Sequence, residues 1–160
     1  MAQRPAFNLS KLSPADKIIL LSASVFFIWG FIPVWYKLDC GPEIFAILRN
    51  LCNHRISGWH GVTIPPLILA ALAVAWVVAR AAGSRINPGF DPGLVDLGLS
   101  GLGLLFTILA FVMQPTLFAF SWGVIVAVIL ALVWTYGGFM RYSEPASTNP
   151  PDVGTTGYSS

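Results

Sequence analysis

Four stretches of this chain run for about the thickness of a bilayer core without one charged side chain. That pattern limits the fold more than any other feature of the 160 residues. Residues 18–36 form an uncharged run between Lys17 and Lys37. A helix over those 19 residues would reach roughly 28 Å, close to the ~30 Å of a hydrocarbon core. Residues 62–79 form a second run between His60 and Arg80, residues 97–113 a third, and residues 116–140 a fourth that stops before Arg141. Charged residues make up only 10% of the chain, against roughly 25% in a soluble domain. Mean hydropathy is +0.73. Too few charges are present to clothe a soluble surface, so lipid is the expected solvent for most of the chain.

The expected fold is therefore an all-α membrane protein, a four-transmembrane-helix bundle over residues 14–142. Residues 1–13 form a cytoplasmic arm before it, and residues 143–160 form a Pro-, Ser- and Gly-rich disordered tail after it. The apolar core of the first run exceeds the usual ~7–15 residues of a cleaved signal, and no A-x-A site follows, so it reads as a retained span. Gln114-Pro115 is the whole expected link between spans three and four, which makes a tight helical hairpin. Arg4, Lys11, Lys17, Arg80, Arg85 and Arg141 fall on one side of the expected bilayer, and Lys37, Arg49 and Arg55 on the other. Basic residues favour the cytoplasmic side, which puts both termini in the cytoplasm, in a bacterial plasma membrane.

Aromatic residues and prolines mark the same boundaries. Trp35, Tyr36, Trp59 and Trp122 fall at the outer edge, and Trp76, Trp134, Tyr136 and Tyr142 near the inner one. Indole and phenol rings favour the headgroup region, so the tryptophans and Tyr36 are expected interface anchors. Pro33 has no N–H and leaves the Trp29 carbonyl without its helical partner. Ser13 and Pro14 suit the cap and first position of the first helix, as Asp91 and Pro92 do for the third. Asp96 then falls in the first turn, near the positive end of the helix dipole.

Helices in lipid pair through close backbone approach rather than hydrophobicity. Small residues recur at Ala71, Ala75 and Ala79, at Gly98 and Gly101, and at Gly123, Ala127 and Ala131. These are the expected packing faces, and they leave Phe106, Phe111, Phe118 and Phe120 to face lipid or a neighbouring protein. The hydroxyls of Ser22, Ser24, Thr107 and Ser121 are expected to bond to backbone four residues earlier or across helices.

The outer loop, residues 37–61, carries the remaining candidates. EIFAILRNLCNHR can place its apolar residues on one face, giving a short amphipathic helix at the membrane surface. Cys40 and Cys52 bracket it and are a possible disulfide if that side is oxidising. His54 and His60 are candidate ligands for a haem or chlorophyll metal, although interfacial hydrogen bonding is the plainer role for both.

No phosphate loop, GxGxxG, GxSxG or HExxH motif occurs, and GLSGLG at 98–103 follows no strand. With no ionisable residue inside a span, pumps and proton-coupled carriers lose ground. The nine Lys and Arg are scattered, which gives no basic stripe for nucleic acid. No cofactor is expected in the leading reading. That reading is a non-catalytic accessory or structural subunit in the lipid bilayer, as a homo-oligomer or within a larger complex. A small oligomeric channel and a pigment-binding subunit using an outer-loop histidine are the alternatives.

Phe31-Ile32-Pro33-Val34-Trp35-Tyr36, Trp59-His60-Gly61 and the segment FAFSWGVIVAVILALVW together resemble a broad group of uncharacterised bacterial four-helix membrane proteins. The likeness covers roughly residues 15–141. In this chain Val34 stands between the proline and the tryptophan of the first motif. The resemblance implies a four-span fold and carries no activity with it.

Overall fold

The computed structural model describes residues 12–38, 55–59, 61–82, 91–113 and 118–144. Four helices account for most of them: α1 (Pro14–Trp29), α2 (Ile64–Ala81), α3 (Pro92–Val112) and α4 (Trp122–Ser143). Three are long and apolar enough to cross a membrane: α2 with the 3₁₀ turn before it (Gly61–Ala81), α3 and α4, with mean hydropathies of 2.3, 2.0 and 2.1. That is consistent with an integral membrane protein. Each helix packs on the next, and α4 returns to pack on α1.

Local sequence sets the helix ends. The Ser13 side chain accepts a hydrogen bond from the Asp16 N–H at 3.1 Å, and Pro14 opens α1. The Asp91 carboxylate accepts from the Gly93 N–H at 2.8 Å, and Pro92 opens α3. In both cases the side chain satisfies an N–H that the helix cannot, and the proline stands where no N–H is needed.

The first span departs from expectation. Residues 18–36 do not form one helix: α1 ends at Trp29, and Tyr36 lies in a strand. Gly30 closes the last turn by donating to the Phe26 and Phe27 carbonyls. It sits so close to Leu67 of α2 that a Cβ would come within 2.5 Å of that side chain. The chain then turns through Pro33 into β1 (Tyr36–Leu38).

β1 is the centre of a three-stranded antiparallel sheet with β2 (Arg55–Ile56) and β3 (Phe118–Phe120) on its flanks. Tyr36 is opposite Ile56 on one side and Phe120 on the other. The sheet ties the exits of α1 to the entries of α2 and α4. It also replaces the expected two-residue hairpin: α3 stops at Val112 and α4 begins at Trp122, with β3 between them. The expected amphipathic helix, Cys40, Cys52, His54 and His60 lie outside the described residues.

The core runs between the helices from Ile19, Ala23 and Phe26 of α1, through Leu67, Ala70, Ala73 and Val77 of α2, to Val124, Ala127, Ala131 and Trp134 of α4. α3 turns a face of Gly93, Asp96, Ser100, Gly103, Thr107 and Ala110 inward. These residues are three or four apart and so share one side of a helix. On the outside, Ile108, Phe111, Ile125, Val128 and Ile129 line an apolar groove of about 250 Å³ between α3 and α4.

Candidate functional site

The up-and-down order of the helices brings the N-terminal ends of α1 and α3 beside the C-terminal ends of α2 and α4. Each of those ends carries a charge. Asp16 is in the first turn of α1, Arg80 and Arg141 are in the last turns of α2 and α4, and Asp96 is the fifth residue of α3. An acid near an N-terminus and a base near a C-terminus both complement the helix dipole. Packing the four ends together therefore sets unlike charges side by side.

The result is an open ring of alternating sign, running Asp96–Arg80–Asp16–Arg141, with one residue from each helix. Arg80 Nη2 lies 2.8 Å from Oδ1 of Asp16 and 2.8 Å from Oδ2 of Asp96. Arg141 Nε lies 3.8 Å from the same Asp16 oxygen, and its Nη1 pairs with Glu144. The Asp96 side chain is 0% exposed. Only the Asp16 contact of Arg80 is a well-directed hydrogen bond. Among the described residues, neither Asp96 oxygen has a well-directed hydrogen-bond partner, nor do Nε and Nη1 of Arg80, and all four atoms are buried. The Trp76 ring faces the Arg80 guanidinium at 5.8 Å, placing a π-face against the cation.

Asp96 is thus not a capping residue at the edge of a charge-free span. It lies one turn inside an apolar helix, at a close α3–α4 crossing. A Cβ on Gly138 would collide with Oγ of Ser100 and come within 3.0 Å of the Asp96 carbonyl oxygen. The Thr135 hydroxyl reaches the Ser100 carbonyl at 3.2 Å. Further along, Gly103 leaves room for the Trp134 ring, which a Cβ would strike.

The residues singled out from the sequence fall in several places. Gly123, Ala127 and Ala131 are buried, and a Cβ on Gly123 would strike the Val34 carbonyl. The stripe on α2 is displaced: Ala75 is exposed and Ala71 and Ala79 only half-buried, while Ala70 and Ala73 face the core. On α3, Gly98 is exposed and Gly101 half-buried, with nothing within 4 Å of an added Cβ at either. Phe106 is half-buried and Phe111 exposed. Ser22 and Thr107 bond to carbonyls four residues back, at 2.6 and 2.7 Å.

Two of the expected anchors are core residues. Trp134 is 0% and Trp35 1% exposed. Trp35 donates its indole N–H to the Trp29 carbonyl at 2.9 Å, beside the Ile32 N–H at 3.1 Å, where Pro33 has none to give. Trp29 donates in turn to the Gly123 carbonyl at 2.9 Å. Trp122 is exposed and meets Trp29 edge-on, while half-buried Trp59 packs on Phe27 and Phe31. Tyr36 and Trp76 are half-buried.

The charged ring is the feature that sequence reasoning missed. The signal was present: acids at the starts of the first and third helices and bases at the ends of the second and fourth. No family model, curated protein or solved structure matches the chain. The fold and the ring together define a helical protein with three candidate membrane-crossing helices, joined at one end by charge.

Proposed function

We propose that this chain is an integral membrane protein that crosses the bilayer four times as a helix bundle. Both ends of the helical region lie on the cytoplasmic side of a bacterial plasma membrane. It serves as a non-catalytic structural or accessory subunit that packs against copies of itself or a larger membrane complex.

The observation that carries this reading is the contrast between interior and exterior. Trp134, Phe26, Ile19 and Leu67 fill the space between the helices with no exposed surface. Large apolar side chains point outward around the molecule, among them Leu21, Ile28, Ile68, Leu72, Leu105 and Ile129. An apolar exterior of that extent needs lipid or protein against it.

The fourth crossing rests on α1. Its start is held to the end of α2 by Asp16 and Arg80, and its end to the start of α4 by Trp29 and Gly123. Those ties at both ends support reading α1 as a crossing although it has only 16 residues. At 1.5 Å each these reach about 24 Å.

Purification from native membranes in a mild detergent, followed by identification of what accompanies the chain, tests the role. A stoichiometric companion or a defined homo-oligomer without solute flux in liposomes is the expected result. A solitary chain that conducts solute when reconstituted would overturn it. Reporters fused to each end test the topology, with both expected in the cytoplasm.

A further inference from the structure

We propose that the apolar belt of this molecule fits a bilayer thinner than average, and that the lipid is most compressed beside α1. The inference rests on the membrane reading above and adds the kind of bilayer the chain takes. Its starting point is what closes the belt at either end.

At one end the limit is charge. Lys17 is exposed on α1 and Asp91 at the start of α3. Arg80 stands in the last turn of α2 and Arg141 in that of α4. At the other end the limit is backbone. Among the described residues, β2 and β3 each have β1 as their one partner strand. Each therefore leaves an edge of N–H and C=O groups, and such edges do not face hydrocarbon, where nothing can bond them. The sheet thus marks where the lipid tails stop. Exposed Trp122 follows β3 directly, and its indole suits the headgroup region.

Between those limits α1 has the least to offer. Its large exposed apolar side chains are Leu21, Val25 and Ile28. From Lys17 to Gly30 a helix rises about 20 Å, and all of α1 about 24 Å. Phe31 and Ile32 add exposed apolar surface in the turn that follows, but no further helix. The exposed apolar surface of α2 runs about 24 Å, from Val62 to Val78. That of α4 runs about 26 Å, from Trp122 to Phe139. That of α3 runs about 28 Å, from Leu94 to Met113. Each height falls short of the ~30 Å of an average hydrocarbon core, and tilt lowers them all. α1 packs between α2 and α4, so the belt slopes, lowest at α1 and highest at α3. Lipid beside a belt shorter than itself must thin, at a cost that grows with the mismatch. The flexible stem of Lys17 can carry its ammonium toward the headgroups and ease that step.

Reconstitution of the full chain into fluid phosphatidylcholine vesicles, with monounsaturated tails of fourteen to twenty-two carbons, tests this. Flotation first reads whether the chain enters the bilayer. Thermal unfolding should then give its highest midpoint with tails of fourteen or sixteen carbons and a steady loss as the tails lengthen. Lys17→Leu extends the exposed apolar face of α1 by one turn and should move the optimum to longer tails. Leu21→Lys shortens that face by one turn and should steepen the loss. A chain that does not float overturns the membrane reading and this inference with it. A chain that floats but is most stable at eighteen carbons or more, or has the same midpoint throughout, overturns this inference alone. So does an optimum that neither substitution moves.

Discussion

Small residues decide where these helices touch, and the sequence does not say which small residues do so. On a helix that is apolar all round, a stripe of alanines or glycines has a period but no phase, because no polar face marks the outside. Ala71, Ala75 and Ala79 therefore looked as suitable as Ala70, Ala73 and Val77, and Gly98 and Gly101 as suitable as Gly103. The structure separates the glycines sharply. A Cβ on Gly103 would strike the ring of the fully buried Trp134, whereas one on Gly98 would meet open space. Gly103→Val should cost about 2 kcal/mol by overpacking. Gly98→Ala should be neutral or gain up to about 1 kcal/mol, because alanine is the better helix former where nothing obstructs it. Unfolding both variants in mixed micelles against the parent reads the difference directly. Equal losses at the two positions would mean that α3 turns another face to α4.

At the level of elements, caps were legible and strands were not. Ser13-Pro14 and Asp91-Pro92 announce helix starts because the chemistry of the first turn is local. β1, β2 and β3 have two or three residues each, too few to show an alternation, and they pair across long stretches of sequence. What ends α1 is likewise distant. The turn at Gly30 leans on Leu67, and the Trp29 carbonyl, which Pro33 cannot bond, accepts from the Ile32 N–H and from the Trp35 indole. Trp35→Phe keeps most of the buried ring and removes that donor, so it should cost about 1 kcal/mol, measurable by the same unfolding assay. Tyr36, at the centre of the sheet and outside the candidate crossing helices, offers a pH test. Burial pushes its phenol above the usual value of 10.0. The folded chain thus holds this proton after the unfolded chain has begun to release it, and stability should fall as pH rises past about 10. Comparing the parent with Tyr36→Phe isolates the effect, and the variant should show a shallower decline over that interval.

On the scale of the whole molecule, the number of apolar runs and their alternating direction were readable, and the meeting of their charged ends was not. Arg80 and Arg141 entered the sequence reading as cytoplasmic markers and Asp96 as a residue at a helix start, each judged alone. Only the cyclic contact of the helices, with α4 back on α1, makes them neighbours. Arg80 then stands out, because α1, α2 and α3 are joined through its one Nη2 atom. Among the described residues, Arg80→Gln removes the one guanidinium paired with Asp96 and one of two paired with Asp16. Breaking a buried charge pair from one side costs about 3–5 kcal/mol, because the abandoned charge stays buried. That cost should fall largely on the end of the molecule holding the ring. Hydrogen exchange of the first turns of α1 and α3 should accelerate well before exchange at Trp29 and Gly123 responds. The loss should be reversible by chemistry alone. Adding Asp16→Asn and Asp96→Asn to Arg80→Gln leaves no charge stranded, and a ring neutral on three sides should recover most of the stability. If the triple variant stays as weak as Arg80→Gln, the contribution of Arg80 lies in its stacking on Trp76 and its aliphatic stem, and the ring of charges is incidental to how the four helices hold together.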